Sequence, residues 1–362
     1  MICPMWIVSI ALFCWGIFSI FVGLGLISQV YSPKKASNPA SNVEMVIVSI
    51  ASKKVEKSLM ECITHHERFG LTLWILVDEG SELINVLLEK YNLVIVPKSY
   101  RVDLVGKGRA MNFFIEKVVL EDKWYCFIDD DNLVMDTNFM YEIPYYEKLG
   151  YSAMNPVLYP RMGRSGFAFI MDFIRWFDDI TLFRLFTGLL KTPIMGLHGE
   201  LLTVRGSVLK EVGYNHRTIT EDFLFATQLV RRKHKTWQSS TVVSIRSPNS
   251  LGDLMKQRGR WFKGVSHDWV FCPTKMKFVV MLRLTIWVLG IFGSWLFVPF
   301  WLFTSCWYAI PGGIAYWGIY IWGTIKLGKL QYLLMIPIYG IVESASWMVG
   351  LRDKKFFVID KN

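Results

Sequence analysis

The distribution of charge along the chain constrains its fold more than any other feature. The first 33 residues carry no charged side chain, and the apolar run 5–30 is longer than the roughly 20 residues that a helix needs to cross a bilayer. The first charges, Lys34 and Lys35, follow this run, and the positive-inside rule then places the N-terminus outside and the next domain in the cytoplasm. We therefore predict a transmembrane helix within residues 1–33.

A second apolar region occupies residues 278–351. Over residues 278–325 the only charge is Arg283, and a Pro-Gly-Gly sequence divides this stretch into two predicted spans. The last part is again apolar but contains Glu343. An acid in such a segment is a functional candidate, although a carboxylate paired with a nearby arginine, or facing water at an interface, is the simpler explanation. The tail, residues 352–362, is basic and prefers the cytoplasm. This conflicts with a full last crossing, so two or three segments are predicted.

The composition excludes an ordinary soluble enzyme. Of the 362 residues, 52% are hydrophobic and only 19% are charged. The net charge of +10 is typical of proteins that contact anionic lipid head groups or phosphate-bearing substrates. No nucleic-acid-binding module is recognisable, so no nucleic-acid partner is predicted. The six cysteines and six histidines are scattered without the spacing of zinc ligands.

Between the apolar ends, residues 34–277 have the composition of a globular domain. Apolar runs alternate with amphipathic segments, which predicts an α/β fold with a doubly wound, mostly parallel sheet. The predicted strands are 43–50, 71–77, 92–96 and 124–128, and the predicted helices are 54–69 and 107–120. Ligands of such sheets bind at the carboxyl ends of the strands, where Asp78 and Asp129 fall. Segments 163–196 and 254–270 mix aromatic and basic residues, which predicts amphipathic helices on a membrane surface or, alternatively, plain core helices.

Three consecutive carboxylates, Asp129 to Asp131, follow the strand 124–128. They repel one another, so a fold retains them where something positive lies among them, usually a divalent metal with a phosphate attached. A solvated acidic turn is the alternative. Three further motifs stand in a set order along the chain. They are Val77-Asp78-Glu79-Gly80-Ser81 before the triplet, and Thr220-Glu221-Asp222 and Gln257-Arg258-Gly259-Arg260-Trp261 after it.

In this order the motifs resemble those of the family 2 membrane glycosyltransferases, the GT-A-fold group that includes cellulose, chitin and hyaluronan synthases. Within the group, the chain is most similar to the egghead-type β-1,4-mannosyltransferases. The stretches that carry this closer likeness are 96–101, 106–110, 257–264 and 349–358. The tail 356–361 is similar to the gating loop of the processive synthases but lacks its threonine.

The resemblance implies a multi-pass integral membrane protein with a cytoplasmic GT-A domain over residues 34–277. It implies inverting, metal-dependent transfer of a hexose to a lipid-linked or glycan acceptor at the bilayer. The closer likeness to the egghead-type enzymes implies that the hexose is mannose, taken from GDP-mannose and joined in a β-1,4 linkage. The alternatives are a UDP-sugar-dependent transferase, a processive polysaccharide synthase and, in another class, a non-enzymatic transporter or scaffold.

The resemblance also implies roles for residues on the donor side. Asp129 and Asp131 correspond to the DxD pair, one near the sugar and ribose and one on Mn²⁺ or Mg²⁺, with Asp130 between them as a further donor-binding residue. Asp78 corresponds to the acid that reads the nucleoside, unless it caps a helix over residues 81–88. Lys107 and Arg109 would face the diphosphate. The alternative for each is an ordinary position on the solvated surface.

On the acceptor side, Asp222 corresponds to the general base that takes the proton of the attacking hydroxyl, with Glu221 orienting or binding nearby. The alternative is a helix start at Thr220. Arg260 would hold the leaving diphosphate and Trp261 would stack on the acceptor sugar, or both would belong to an interfacial helix. The other acceptor-side candidates are Gln257, which would fix the loop, and His198 and Gly199.

Overall fold

The computed structural model describes residues 5–291 and 309–352. Within these ranges eight strands form one sheet with the order β3-β2-β1-β4-β7-β6-β8-β5. The strands are β1 (Val43–Val48), β2 (Thr72–Asp78), β3 (Asn92–Val96), β4 (Trp124–Asp129), β5 (Leu133–Val134), β6 (Tyr151–Arg161), β7 (Leu202–Arg205) and β8 (Lys235–Arg246).

The sheet is mixed but mostly parallel, as expected, because all of the described strands except β5 and β7 run in one direction. The first four strands run parallel as predicted, but β7 runs antiparallel to both β4 and β6, and β5 runs antiparallel to β8. β6 and β8 are parallel to each other, although β7 separates β6 from β4. The parallel half agrees with the sequence because a strand buried on both faces has a continuous apolar run. In β4 all residues from Trp124 to Ile128 are completely buried.

The helices are α1 (Met5–Ile27), α2 (Glu56–Glu67), α3 (Ile84–Leu88), α4 (Gly106–Lys117), α5 (Asn138–Lys148), α6 (Gly166–Asp178), α7 (Gly206–Val212), α8 (Glu221–Arg231), α9 (Leu251–Asp268), α10 (Thr274–Ile291), α11 (Ala309–Leu327) and α12 (Ile336–Arg352). α6 continues into a π-helical segment, Asp179–Leu189. The sheet is covered on both faces. One core surrounds Leu59 of α2, and the other surrounds Phe114 of α4 and Leu209 of α7.

The remaining helices pack together beside the α/β domain. Their shared core contains Phe18 of α1, Phe177 of α6, Ile319 of α11 and Tyr339 of α12. By length and composition, one helical stretch in the described ranges, Leu330–Leu351, could cross a membrane. A buried core helix passes the same test, so the number of crossings and the domain boundaries remain predictions. Part of the second predicted span and the tail with its resemblance to a gating loop lie outside the described residues.

Glu343, the acid in the last apolar segment, is paired with an arginine, which was the simpler of the two explanations for it. Its Oε1 lies 3.0 Å from Nε of Arg258, which belongs to α9 and is completely buried. α9 is therefore joined to α12 by an ion pair between residues far apart in sequence.

Candidate active site

The carboxyl ends of β1, β2 and β4 line a cleft with an empty volume of about 1100 Å³. This is where a parallel sheet of this kind binds its ligands. The cleft brings together residues of three of the four motifs, all except Thr220-Glu221-Asp222, with Lys107 at the start of α4. Those predicted from the sequence are Asp78, Lys107, Asp129, Asp130, Asp131, Gln257, Arg260 and Trp261.

Lys107 links the acidic triplet to the loop that precedes β7. Its Nζ donates to Oδ1 of Asp129 at 2.7 Å and to the carbonyl oxygen of Gly199 at 2.9 Å. Burial alone would lower the pKa of Lys107, but the carboxylates of Asp129, Glu221 and Glu200 outweigh it and raise the pKa above its ordinary value. Lys107 is therefore a permanent cation in the wall of the cleft.

Gly199 is required by close packing rather than by its backbone conformation. A Cβ at this position would lie 3.3 Å from Nζ of Lys107 and 3.4 Å from Oδ2 of Asp222. A side chain here would crowd both groups. The carboxylate of Asp222 and the ammonium of Lys107 thus both lie beside a position that a glycine keeps open.

Two polar contacts that the sequence did not predict hold the acidic triplet. Ser49, just after β1, donates to Oδ2 of Asp130 at 2.5 Å. Arg161, at the end of β6, donates to the carbonyl oxygen of Asp131 at 2.6 Å. Three consecutive acids are thereby fixed in a turn at the edge of the cleft.

The acidic triplet is better suited to a divalent cation that is coordinated jointly by the protein and a bound substrate than to one coordinated by protein side chains alone. Within the described ranges, no group of three or more His, Cys, Asp or Glu side chains is arranged to hold a metal ion. Mg²⁺ is commonly held by one or two carboxylates together with substrate phosphates and water. The carboxylates of Asp129 and Asp131 in the cleft wall provide this donor set.

Asp78 and Arg109 form a pair at the far end of the cleft. Nη2 of Arg109 donates to Oδ1 of Asp78 at 2.6 Å, and Nη1 donates to the carbonyl oxygens of Pro97 and Tyr100, each at 2.9 Å. The Asp78 carboxylate therefore does not cap a helix, and α3 begins only at Ile84. Arg109 lies behind Asp78 and orients it.

A second cavity, of about 620 Å³, adjoins the cleft. It contains Asp222 and His198, and it shares Glu200 and Trp261 with the cleft. Burial raises the pKa of Asp222, and the carboxylates of Glu221 and Glu200 raise it further. Asp222 is thus a carboxylate with increased proton affinity in the wall of the second cavity.

The segment before Asp222 is attached to α9. Thr220 is the N-cap residue of α8, but its side chain makes no capping bond, and its Oγ1 donates instead to Oδ2 of Asp268 at 3.0 Å. Asp268 is completely buried at the end of α9. Gly264 of α9 leaves room for Thr220, since a Cβ there would lie 2.4 Å from Cγ2 of Thr220. The helix α8 therefore does start after Thr220, but the Thr220 side chain binds α9 instead of capping the helix.

α9 presents its motif to the cleft because residues three and four apart lie on the same helical face. Gln257, Arg260 and Trp261 have this spacing, and all three line the cleft. Trp261 also lines the second cavity. Its ring lies where the two cavities meet.

His198 contacts a buried acid and an aromatic ring, and it also lines the second cavity. Its Nε2 lies 3.3 Å from Oδ1 of buried Asp179, and its ring centroid lies 4.3 Å from that of Phe183. Glu200, two residues further on, was not predicted as a site residue although it lines both cavities.

The sequence matches a known protein family. The family model described as glycosyl transferase family group 2 matches residues 124–337, which is more than half of the chain. The β-1,4-mannosyltransferase egh of Drosophila melanogaster is 23% identical over 310 residues, covering 74% of this chain and 66% of that protein. The β-1,4-mannosyltransferase bre-3 of Caenorhabditis briggsae is 22% identical over 309 residues, covering 74% of this chain and 67% of that protein. The chain thus spans about two thirds of the length of these relatives.

The fold is also that of a solved glycosyltransferase. A mannosyltransferase from Pyrobaculum calidifontis, determined in complex with GDP-mannose and Mn²⁺, superposes with a TM-score of 0.55 at 12% identity. The superposition covers 95% of this chain and all of the other. At this identity the likeness establishes a common fold. Taken with the family match, it means that the chain belongs to glycosyl transferase family group 2 and is a glycosyltransferase.

Proposed function

We propose that the protein is an inverting, metal-dependent mannosyltransferase that moves mannose from GDP-mannose to a hydroxyl of a lipid-linked acceptor, in a β-1,4 linkage. One observation carries the proposal: the cleft with Asp129 and Arg260 and the cavity with Asp222 meet at Trp261. A donor sugar bound in the cleft and an acceptor hydroxyl bound in the cavity would then lie next to each other near Trp261.

On the donor side, the residues of the cleft suit a nucleoside diphosphate whose departure builds negative charge. Lys107 and Arg260 place two cations in the wall, and guanidinium groups match phosphate oxygens well. Asp131 and Asp129 would hold Mn²⁺ or Mg²⁺, which supplies further positive charge against the leaving diphosphate. Asp78, oriented by Arg109, would accept a hydrogen bond from the nucleoside.

On the acceptor side, Asp222 would accept the proton of the attacking hydroxyl. Its raised pKa suits this role, because a general base works best when its pKa lies near the working pH. Attack from the acceptor cavity on a sugar bound in the cleft would come from the face opposite to the diphosphate. Such an attack inverts the configuration at the anomeric carbon.

The acceptor cavity also has walls from the apolar part of the protein. Arg283 and Trp287 of α10 line it together with Asp222. This supports a multi-pass membrane protein with a cytoplasmic catalytic domain, in which an acceptor approaches from the bilayer and presents its hydroxyl to the cavity. Mannose as the donor sugar is supported by the names of the relatives and by the GDP-mannose held by the enzyme of common fold.

The proposal is tested with the purified full-length chain in detergent and a panel of GDP- and UDP-sugars with Mn²⁺. We expect GDP release from GDP-mannose that a lipid-linked sugar acceptor accelerates and a chelator abolishes. Turnover of a UDP-sugar without turnover of GDP-mannose would contradict the donor assignment. Turnover that persists after chelation would contradict the role of the metal.

A further inference from the structure

Arg258 stands inside the motif of α9 but faces away from the cleft. Its neighbours at positions 257, 260 and 261 line the cleft, whereas the Arg258 side chain is completely buried between helices. A fully buried arginine needs carboxylate partners, because an uncompensated charge in the protein interior is strongly destabilising. The contacts of Arg258 therefore indicate what this residue does.

The guanidinium of Arg258 has three partners on three different helices. Nη2 donates to Oδ1 of Asp172 on α6, and Nε lies 3.0 Å from Oε1 of Glu343 on α12. The guanidinium carbon lies 4.5 Å from the ring centroid of Trp261 on α9, and that of Arg175 lies 4.9 Å from the same ring. Both distances are within the range of a cation–π interaction. The two guanidinium groups restrict the movement of the ring.

The backbone fixes α12 against the same turn of α9. A Cβ on Gly259 would lie 2.5 Å from the backbone nitrogen of Gly350, and a Cβ on Gly350 would lie 2.1 Å from the carbonyl oxygen of Gly259. Neither helix could approach so closely with a larger residue at the crossing. The position of α12 is thus transmitted to the motif through both backbone contact and the Arg258–Glu343 pair.

Trp261 is the residue whose position would matter most. Its ring lines the cleft, the acceptor cavity and a third, interhelical cavity of about 770 Å³, which Arg258 and Glu343 also line. A small rotation of the ring would change the face that the acceptor cavity presents to a sugar. The ring thus needs a fixed orientation if an acceptor sugar is to stack on it.

We propose that Arg258 and Glu343 are positioning residues that hold Trp261 in place for the acceptor, so that α12 determines the shape of the acceptor site. This inference rests on the proposed function. The planar fork of arginine serves two carboxylates and one ring at once, which a lysine cannot do with a single ammonium group. The contribution to catalysis is indirect, because neither side chain lines the acceptor cavity or the cleft.

The test compares Arg258→Lys and Glu343→Gln with Glu211→Gln as a matched control. Glu211 also pairs with an arginine, Arg232, but at the exposed surface at 3.6 Å. For Arg258→Lys we expect the KM for the acceptor to rise about tenfold or more, as loss of a desolvated cation–π contact implies. For Glu343→Gln we expect a smaller rise in the same direction, because Arg258 stays over the ring but loses one of its charged partners. The KM for the donor and the rate of donor hydrolysis without acceptor should stay within about twofold of the wild type. Glu211→Gln should match the wild type in all three measurements.

An unchanged KM for the acceptor in a folded variant would overturn the inference, as would equal changes in the donor and acceptor constants. Glu343→Gln keeps the Arg258–Asp172 pair and is nearly isosteric, so it decides the question if Arg258→Lys fails to fold. If the wild type itself transfers no sugar, the proposed function fails and this inference fails with it. If the wild type transfers sugar and the variants do so with unaltered acceptor saturation, this inference alone fails.

Discussion

Gly199→Ala is the substitution for which the structure predicts the clearest separation of activity from folding. Gly199 has no left-handed backbone conformation that alanine would strain. The added Cβ would lie 3.3 Å from Nζ of Lys107 and 3.4 Å from Oδ2 of Asp222, distances that force both groups to move by a few tenths of an ångström. Both contacted atoms are ends of side chains, so the fold should adapt at little cost.

The cost appears in the chemistry because both displaced groups belong to the proposed reaction centre. A misplacement of about 1 Å can lower a rate by about a hundredfold, so a shift of a few tenths of an ångström in two groups should lower kcat about 10- to 100-fold. This corresponds to about 1.4–2.7 kcal/mol of transition-state stabilisation. The midpoint of thermal unfolding should change by less than about 3 °C.

The assay is the transfer of radiolabelled mannose to acceptor under saturating conditions, with Gly252→Ala as control. A Cβ on Gly252, which lies on α9, would meet its nearest neighbour, Oγ of Ser250, at an ordinary 3.7 Å. The control should retain full activity. Wild-type kcat in Gly199→Ala would mean that the positions of Lys107 and Asp222 beside this glycine do not matter for transfer.

Three further predictions concern the same site. Burial and the negative charge of Glu221 raise the pKa of Asp222, so activity should rise with pH through that raised pKa. Glu221→Gln should therefore move the acidic limb of the pH–rate profile to lower pH. A limb that stays in place or moves to higher pH would contradict this. Asp131→Asn should raise the Mn²⁺ concentration needed for half-maximal activity at least about tenfold, measured by titration of the metal-free protein, and an unchanged requirement would exclude Asp131 as a ligand. Thr220→Val removes the bond to buried Asp268 and should destabilise the fold by about 1.5–3 kcal/mol, seen as a lower midpoint of thermal unfolding, whereas an unchanged midpoint would mean that this bond is not stabilising.

Local patterns in the sequence were sufficient to place most elements of the parallel half of the sheet. The predicted strand 92–96 is β3 exactly, and the predicted strand 124–128 is one residue shorter than β4. Their success has a physical reason, because a buried parallel strand is a continuous apolar run. Since ligand-binding residues follow such strands, the sequence also predicted that Asp78 and Asp129 lie at one edge, and they line one cleft.

The remaining features depend on contacts between residues distant in sequence, which no local pattern encodes. The antiparallel position of β7 between β4 and β6 is set by packing of the whole sheet. The sequence offered Glu343 as an acid with an arginine partner but could not name Arg258. Glu200 could have been found, because it directly follows His198 and Gly199, two residues already predicted for the acceptor side.

The donor cleft and the cavity of Asp222 are proposed to form one reaction centre. Donor binding and sugar transfer, measured side by side in Asp222→Asn, test this. We expect the variant to bind GDP-mannose with the wild-type dissociation constant but to transfer mannose about 10²- to 10⁴-fold more slowly, as expected for loss of a general base. Transfer at the wild-type rate, or loss of donor binding in proportion to loss of transfer, would contradict it.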